Sequence, residues 1–423
     1  MSLVKTSLLN GVAVAVKVGS AVLLNKILAV YVGPAGYAAI GQFQNVLAII
    51  SNLAGGIVAP GVTKGTAENF DDTVRQHWIW QTAFQLTLIV TAFIATVLLV
   101  GGDWLSVHLL QRQELGNGFI WAIIALPGIA ANNILLAIIN GKKEVGIYVA
   151  SNILGSIISL CSIGFLTYLW GLKGALIALA ISPAVLLIGT AAIVVRRPWF
   201  RLQYLFGKIQ KPVLNELMGF GLMGLTSALA APFTYIFVRD FLSVSLSPEN
   251  AGYWQASWKI SEIYLMLVTT TLSIYYLPRL AEIVSAKELK TEILKVYKFA
   301  LPVVICGACT MYFLRDFIID SLFSNAFRPM RDLFFWQLSG DVIKIGSWIL
   351  SYVMLGRAMV KAFVITECVF ALSFYLLTRI LVAQYGLVGV SIAYAVNYCF
   401  YWCAMFFLVR NLARNFQVSA SRV

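Results

Sequence analysis

The sequence reads as an all-α integral membrane protein with about twelve transmembrane helices in two six-helix lobes around a central cavity, and three observations lead there. First, 60% of its 423 residues are hydrophobic and only 12% are charged, with a mean hydropathy of +0.85; soluble proteins carry about 25% charged residues. Second, apolar runs of about 20 residues, the length that spans a bilayer, recur from one end to the other and leave no stretch for a separate soluble domain. Third, the chain repeats itself. Gly141, Gly171, Gly174 and Trp121 recur 215 positions later as Gly356, Gly386, Gly389 and Trp336, and Ala35-Gly36-Tyr37 recurs as Ala251-Gly252-Tyr253 at an offset of 216. Two copies of a six-helix unit have the same orientation, which puts a pseudo-twofold along the membrane normal and a site between the halves near the midplane.

The expected spans are 6–31, 36–62, 78–100, 118–139, 145–169, 172–195, 214–241, 251–278, 297–314, 331–355, 359–382 and 387–409. They divide into an N-terminal lobe (1–198), a cytoplasmic interfacial linker (199–213) and a C-terminal lobe (214–423). The formal net charge of +13 does not point to nucleic acid, because it alternates with the loops. Arg196, Arg197, Arg201, Lys208 and Lys211, then Arg279, Lys287, Lys290, Lys295 and Lys298, share one side with Lys142, Lys143, Arg357, Lys361 and the tail Arg410, Arg414 and Arg422. Loops 32–35, 242–250 and 383–386 have no Lys or Arg, so the positive-inside rule makes both termini cytoplasmic. Lys17 interrupts the apolar run that follows Lys5, and no A-x-A site follows, which favours an uncleaved first span over a signal peptide.

In the first span, beside Asn10 and Asn25, Lys17 and Lys26 point to opposite sides of a straight helix. Lys17 is the stronger candidate; Lys26 snorkels unless Gly19 bends the helix. Gln42, Asn45 and Asn52 in the second span, and Asn132, Asn133 and Asn140 in the fourth, either bond neighbouring helices or meet sugar hydroxyls in a wet cavity. The segment RRPWFRLQYLFGKIQKP interleaves rings with cations and reads as lying on the inner leaflet. The 279–298 connection reads as a solvated helix.

The stretch from Met330 to Leu355 is long enough to cross, at roughly 35 Å, yet carries Asp341 and Lys344 near its middle. Each such charge costs from about 2.5 kcal/mol upward, so it faces protein or water and marks a functional site. At i and i+3 the two can touch. In the eighth span Gln255, Lys259 and Glu262 share a face, with Trp254 and Trp258 beside them, and Glu367 adds a carboxylate to the eleventh. Arg239, Asp240 and Arg379 sit toward outer ends, where snorkelling serves them. Tyr394, Asn397, Tyr398 and Tyr401 line one side of the twelfth span, more in keeping with packing than with sugar platforms. The competing reading of the charged pairs is structural locking of helices, but several pairs and a separate Lys17 exceed that need. Cations point to an anionic substrate, and desolvated carboxylates to protonatable switches.

No catalytic, cofactor or metal site is expected. The six cysteines fall within spans and read as small core residues; Cys306-x-x-Cys309 has no second ligand pair. His77 and His108 read as loop residues without a partner carboxylate or serine.

The residues MSLVKTS with VGPAGY, WQASWKISEIYL with YYLPRL, and above all FSNAFRPMRDLFFWQLSGDVIKIG resemble the Wzx-type polysaccharide flippases over essentially the whole chain. The likeness is greatest to the branches handling enterobacterial common antigen lipid III and O-antigen, within the MATE-like MOP transporter superfamily. Glu262 stands where the closest relatives carry Asp. The resemblance implies a cationic cavity and transfer of an undecaprenyl-diphosphate-linked oligosaccharide across the bilayer of the bacterial cytoplasmic membrane, with protons or sodium as coupling ion. It also implies a polymerase and a chain-length regulator of the same pathway as partners. On it, Lys17, Lys26, Lys259 and Lys344 meet the diphosphate, Gln42, Asn45 and Asn52 meet sugars, and Glu262, Asp341 and Glu367 couple ions. The rival readings are a drug/cation antiporter of the same architecture, which needs an anionic or apolar pocket, a membrane glycan polymerase, ligase or acyltransferase, and a scaffold without transport.

Overall fold

The computed structural model describes residues 3–109, 117–283, 285–357 and 359–420; Arg422 and the side chains of Lys5, Asn10, His108 and Arg414 lie outside the described residues. All regular structure among them is helical: α1 (Leu3–Ser51), α2 (Ala59–Glu68), α3 (Thr73–Leu109), α4 (Asn117–Gly141), α5 (Val145–Val194), α6 (Lys211–Ser245), α7 (Pro248–Thr271), α8 (Leu277–Glu282), α9 (Ala286–Phe313), α10 (Arg315–Leu322), α11 (Phe334–Gly356), α12 (Val360–Tyr385) and α13 (Val388–Ala420). Among the described residues, eight helical stretches are long and apolar enough to cross a membrane, two of them 58 and 50 residues long. Those two are broken by glycine, at Gly33 (φ 70°) ahead of Pro34 and at Gly171 (φ 57°), so each holds two of the expected spans. α1 passes Gly19 without a break; its kink is at Gly33.

The chain forms two compact units, 1–236 and 237–423. In the first, α1 packs on α5, and α4 packs on α5, α3 and α2. Its core gathers Trp80, Ile134, Ile138, Val62 and Leu217. Trp80 is fully buried and donates its Nε1 hydrogen to Thr66 Oγ1 at 2.9 Å, which removes the cost of an unpaired indole N–H. Phe200 and Leu205 of the basic aromatic segment join this core, Trp199 donates to Glu144 Oε1 at 3.2 Å, and Tyr204 stacks on His77 at 3.9 Å. Trp199, Phe200 and Tyr204 thus pack back on protein, while Leu202 and Phe206 remain exposed. His77 belongs to α3 and not to a loop. Lys142, just after α4, lies over Phe70, Trp80 and Trp199, and burial lowers its pKa below the ordinary lysine value.

In the second unit α11 is the central helix, packed against α13 and α9 and more lightly against α7, α8 and α12. Local sequence sets its neighbours' ends. Ser247 caps α7 by accepting from Asn250 N at 3.3 Å, with Pro248 in the first turn. Ser285 and Glu288 have the spacing of a capping box at the start of α9, where Ser285 Oγ accepts from Glu288 N at 3.2 Å. The solvated helix expected over 279–298 is divided: Arg279 in α8 pairs with Glu282 at 3.1 Å and reaches Glu288 of α9 at 2.7 Å. The cysteines are free and exposed on the outer faces, where lipid replaces the expected core.

The internal repeat is realised in the backbone. Gly171 (φ 57°, ψ −135°) and Gly386 (φ 58°, ψ −144°) hold nearly the same glycine-favoured conformation 215 positions apart. Three residues on, a side chain at Gly174 would collide with the Leu166 carbonyl, and one at Gly389 with the Leu381 carbonyl. Each unit also has a π-helical turn, Asn52–Gly56 or Leu272–Tyr276, leading into a short helix with proline in its first turn, α2 or α8. A π-turn inserts one residue and leaves carbonyls free, a common device where a helix must bend inside a membrane.

Candidate functional site

The charged residues of the second unit converge where α7, α11 and α13 meet. Asp341 is fully buried and accepts three hydroxyl hydrogen bonds. Ser261 Oγ and Tyr264 OH, one turn apart on α7, donate to Oδ2 at 2.6 and 3.0 Å, and Tyr394 OH of α13 donates to Oδ1 at 2.9 Å. Gln337, one turn before Asp341, donates from Nε2 to Ser261 Oγ at 3.3 Å. Hydrogen bonds to an ionised acceptor are about twice as strong as neutral ones, so three of them offset much of what burying the carboxylate costs.

Lys344 does not pair with Asp341, contrary to their spacing. Each has found other partners. The Lys344 ammonium lies 4.7 Å from the ring centroid of Trp348, 5.0 Å from Trp258, 5.6 Å from Tyr398 and 5.8 Å from Tyr394, inside the range of cation–π attraction. No carboxylate among the described residues is within ion-pair distance of it. Tyr394 therefore serves both groups: its hydroxyl satisfies Asp341 and its ring face attracts Lys344. Tyr398 and Tyr394, expected to pack, are walls of this cage.

The second expected pair does form. Lys259 Nζ is 2.8 Å from Glu262 Oε2, while Trp258 Nε1 donates to Glu262 Oε1 at 3.2 Å. Trp258 thus ties this ion pair to the lysine cage. The pair stays open, with 29% of the Lys259 side chain and 47% of the Glu262 side chain accessible. Open charges in the middle of a membrane span face water or substrate, since hydrocarbon would penalise them. Glu367, half-buried on α12, lies within electrostatic reach of Lys344. Arg239 is not at a headgroup but 3% exposed, bonded to Gln255 Oε1 and stacked over Trp254 at 5.6 Å.

In the first unit the candidates lie on α1 and the π-turn after it. Lys17 is exposed and Lys26 half-buried; between them, Asn25 accepts from Tyr37 OH at 2.7 Å. Gln42 is buried, and its Nε2 donates to the Ile236 carbonyl at 3.2 Å, which makes it a tie between α1 and α6 and not an open sugar contact. Asn45 and Asn52 are half-buried, and Asn133 Nδ2 bridges from α4 to Ser51 at 3.4 Å. Sequence reasoning missed Ser261, Tyr264, Gln337 and Trp348. The signal was available: Ser261 and Tyr264 continue, at helical spacing, the face begun by Trp258.

Buried ions, an aromatic lysine cage and an open ion pair form a polar site within the helices of an all-α membrane transporter fold. The fold agrees: the chain superimposes on the inward-facing conformation of a multidrug resistance MATE family transporter of the MOP superfamily with a TM-score of 0.82 over 95% of both chains, at 16% identity. It matches a MOP superfamily transporter from Pyrococcus furiosus with a TM-score of 0.68 over 96% of both chains, at 17% identity. The chain belongs to the polysaccharide biosynthesis protein family, whose model matches residues 27–332. It is 32% identical to the lipid III flippase of Escherichia coli (strain K12) over 416 residues, covering 98% of this chain and 100% of that one, and equally so to the lipid III flippase of Shigella flexneri.

Proposed function

We propose that this protein is a flippase that carries an undecaprenyl-diphosphate-linked oligosaccharide from the cytoplasmic to the periplasmic leaflet of the inner membrane by alternating access. The observation that carries this reading is Lys344, whose ammonium is held within a membrane span by ring faces instead of a carboxylate. Ring faces attract a cation without neutralising it as a carboxylate does, which suits a site for an anionic ligand. Lys259 can join it when the open Lys259–Glu262 pair exchanges its carboxylate for phosphate; in the first unit the same reading assigns Lys17 and Lys26 to the diphosphate. Asn45 and Asn52, both half-buried, are the amides this reading assigns to sugar hydroxyls. The full-length likeness to lipid III flippases supports the same class of cargo.

A drug/cation antiporter is the second reading, and two of the three carboxylates argue against it, while the third, Glu367, lies within electrostatic reach of Lys344. Asp341 is satisfied by three hydroxyls and Glu262 by Lys259 and Trp258, so neither offers an unpaired negative charge to a cationic drug. In the flippase reading Glu262, Asp341 and Glu367 couple transport to protons or sodium, both termini are cytoplasmic, and the lobes 1–198 and 214–423, joined by the linker 199–213, alternate access to the substrate. A polymerase and a chain-length regulator then act on the exported unit. The direct experiment is to delete the protein and analyse lipid extracts. Accumulation of an undecaprenyl-linked glycan on the cytoplasmic face, cleared by the wild-type chain, is the expected result; an unchanged lipid profile sinks the proposal.

A further inference from the structure

A cavity of about 900 Å³ lies away from the charged cluster, on the side of the second unit where α9 and α13 meet α11. Its mouth carries Lys287, Lys290 and Arg410, all exposed, and none of them has a carboxylate partner among the described residues. Below the mouth the walls are apolar, with Leu294, Leu350 and Phe406 among them. Tyr297 and Trp402 are stacked at 6.1 Å across the cavity lining, with their polar hydrogens already used: Trp402 Nε1 donates to Tyr297 OH at 3.0 Å, and Tyr297 OH to the Gly346 carbonyl at 2.6 Å. They present ring faces to whatever enters. At 1.5 Å per residue, Lys290 stands about 10 Å along α9 from Tyr297, and Arg410 about 12 Å along α13 from Trp402. The helices run in opposite directions, so the cations gather at one level and the rings at another.

The lysines are not there for the helix. Lys287 and Lys290 occupy the first turns of α9, where the positive end of the helix dipole disfavours cations. We infer that this cavity is a binding site for an anionic phospholipid of the surrounding leaflet, with its phosphate on Lys287, Lys290 and Arg410 and an acyl chain along the Tyr297–Trp402 wall. Charge complementarity selects the head, and the apolar depth selects a tail. Free phosphate has no tail to fill the depth, and a zwitterionic lipid brings its own ammonium to a mouth that is already positive.

The inference does not rest on the flippase reading, because its test reads lipid retention and not transport. Purified protein in detergent is offered dioleoyl phosphatidylglycerol or dioleoyl phosphatidylcholine, and bound lipid is counted by native mass spectrometry. Retention of phosphatidylglycerol over phosphatidylcholine is expected, with roughly a 100-fold loss of that preference in the Lys287→Gln, Lys290→Gln, Arg410→Gln triple variant, each cation contributing about a factor of five. Should the variant not fold, phosphatidylglycerol carrying a photoreactive acyl chain is crosslinked to the wild-type protein, with adducts expected within 286–297 and 402–410 and at Leu350. Equal retention of the two lipids, adducts elsewhere, or displacement of phosphatidylglycerol by an equimolar polyprenyl phosphate overturns it.

Discussion

Lys344 and Asp341 stand one helical turn apart and do not pair, and this separation makes their roles distinguishable by substitution. Lys344→Met replaces a buried cation by an apolar chain of similar length that packs well against rings, so folding should be nearly unaffected. Transport should be lost, because the substituted side chain has no charge for phosphate. Thermal unfolding in detergent and clearance of the lipid intermediate in deleted cells measure the two effects; a variant that still clears the intermediate removes Lys344 from the site. For Asp341→Asn the order reverses. Three charge-assisted hydrogen bonds become neutral ones, which should lower stability by about 2 to 4 kcal/mol, and flipping should lose its response to a pH gradient. An unaltered response means that Asp341 is not the ionic switch. The charged members of this cluster were legible in the sequence because ions in apolar runs stand out. Their pairing was not, since spacing along one helix says nothing about Ser261 and Tyr264 of α7 or Tyr394 of α13, which reach Asp341 first. Cation–π contacts hide for the same reason: Trp348 and Tyr398 read as ordinary apolar residues until a lysine is placed among them.

The helices themselves were open to reading, because a bilayer allows few backbone solutions and each expected span falls on a helix. The punctuation was legible through glycine and the 215-residue repeat. Gly171 and Gly386 adopt matching conformations that a Cβ would strain, so Gly171→Ala and Gly386→Ala should each lower stability by about 1 to 3 kcal/mol, and by similar amounts. Equal midpoint losses in thermal unfolding are the check; a loss at only one would mean that the two turns are not equivalent. The π-turns were not legible. Asn52–Gly56 and Leu272–Tyr276 look like continuous helix, since one inserted residue leaves hydropathy unchanged. The basic aromatic segment misled because rings beside cations suit a membrane surface and a protein core alike. Burial of Phe200 and Leu205 depends on Trp80 and Ile134, which come from distant parts of the chain.

On the proposed function, flipping moves the charge of a diphosphate across the membrane, and the energetics of that transfer follow from how many protein charges travel with it. With an inside-negative potential, each net negative charge moving outward gains about 2.3 kcal/mol per 100 mV. Lysines fixed in the protein frame leave the diphosphate charge exposed to this field, whereas lysines that move with the headgroup cancel it. Lys344 is enclosed by residues of α7, α11 and α13, all in one unit, so it is fixed in the frame of that unit. Flipping in proteoliposomes should therefore accelerate when a potassium diffusion potential makes the loading side negative, and slow when the polarity is reversed. The effect should persist when the pH gradient is clamped at zero, which separates the charge of the cargo from that of a coupling proton. A rate indifferent to both polarities would mean that the substrate crosses fully neutralised, with its cations moving beside it, and the fixed-lysine mechanism would then have to be abandoned.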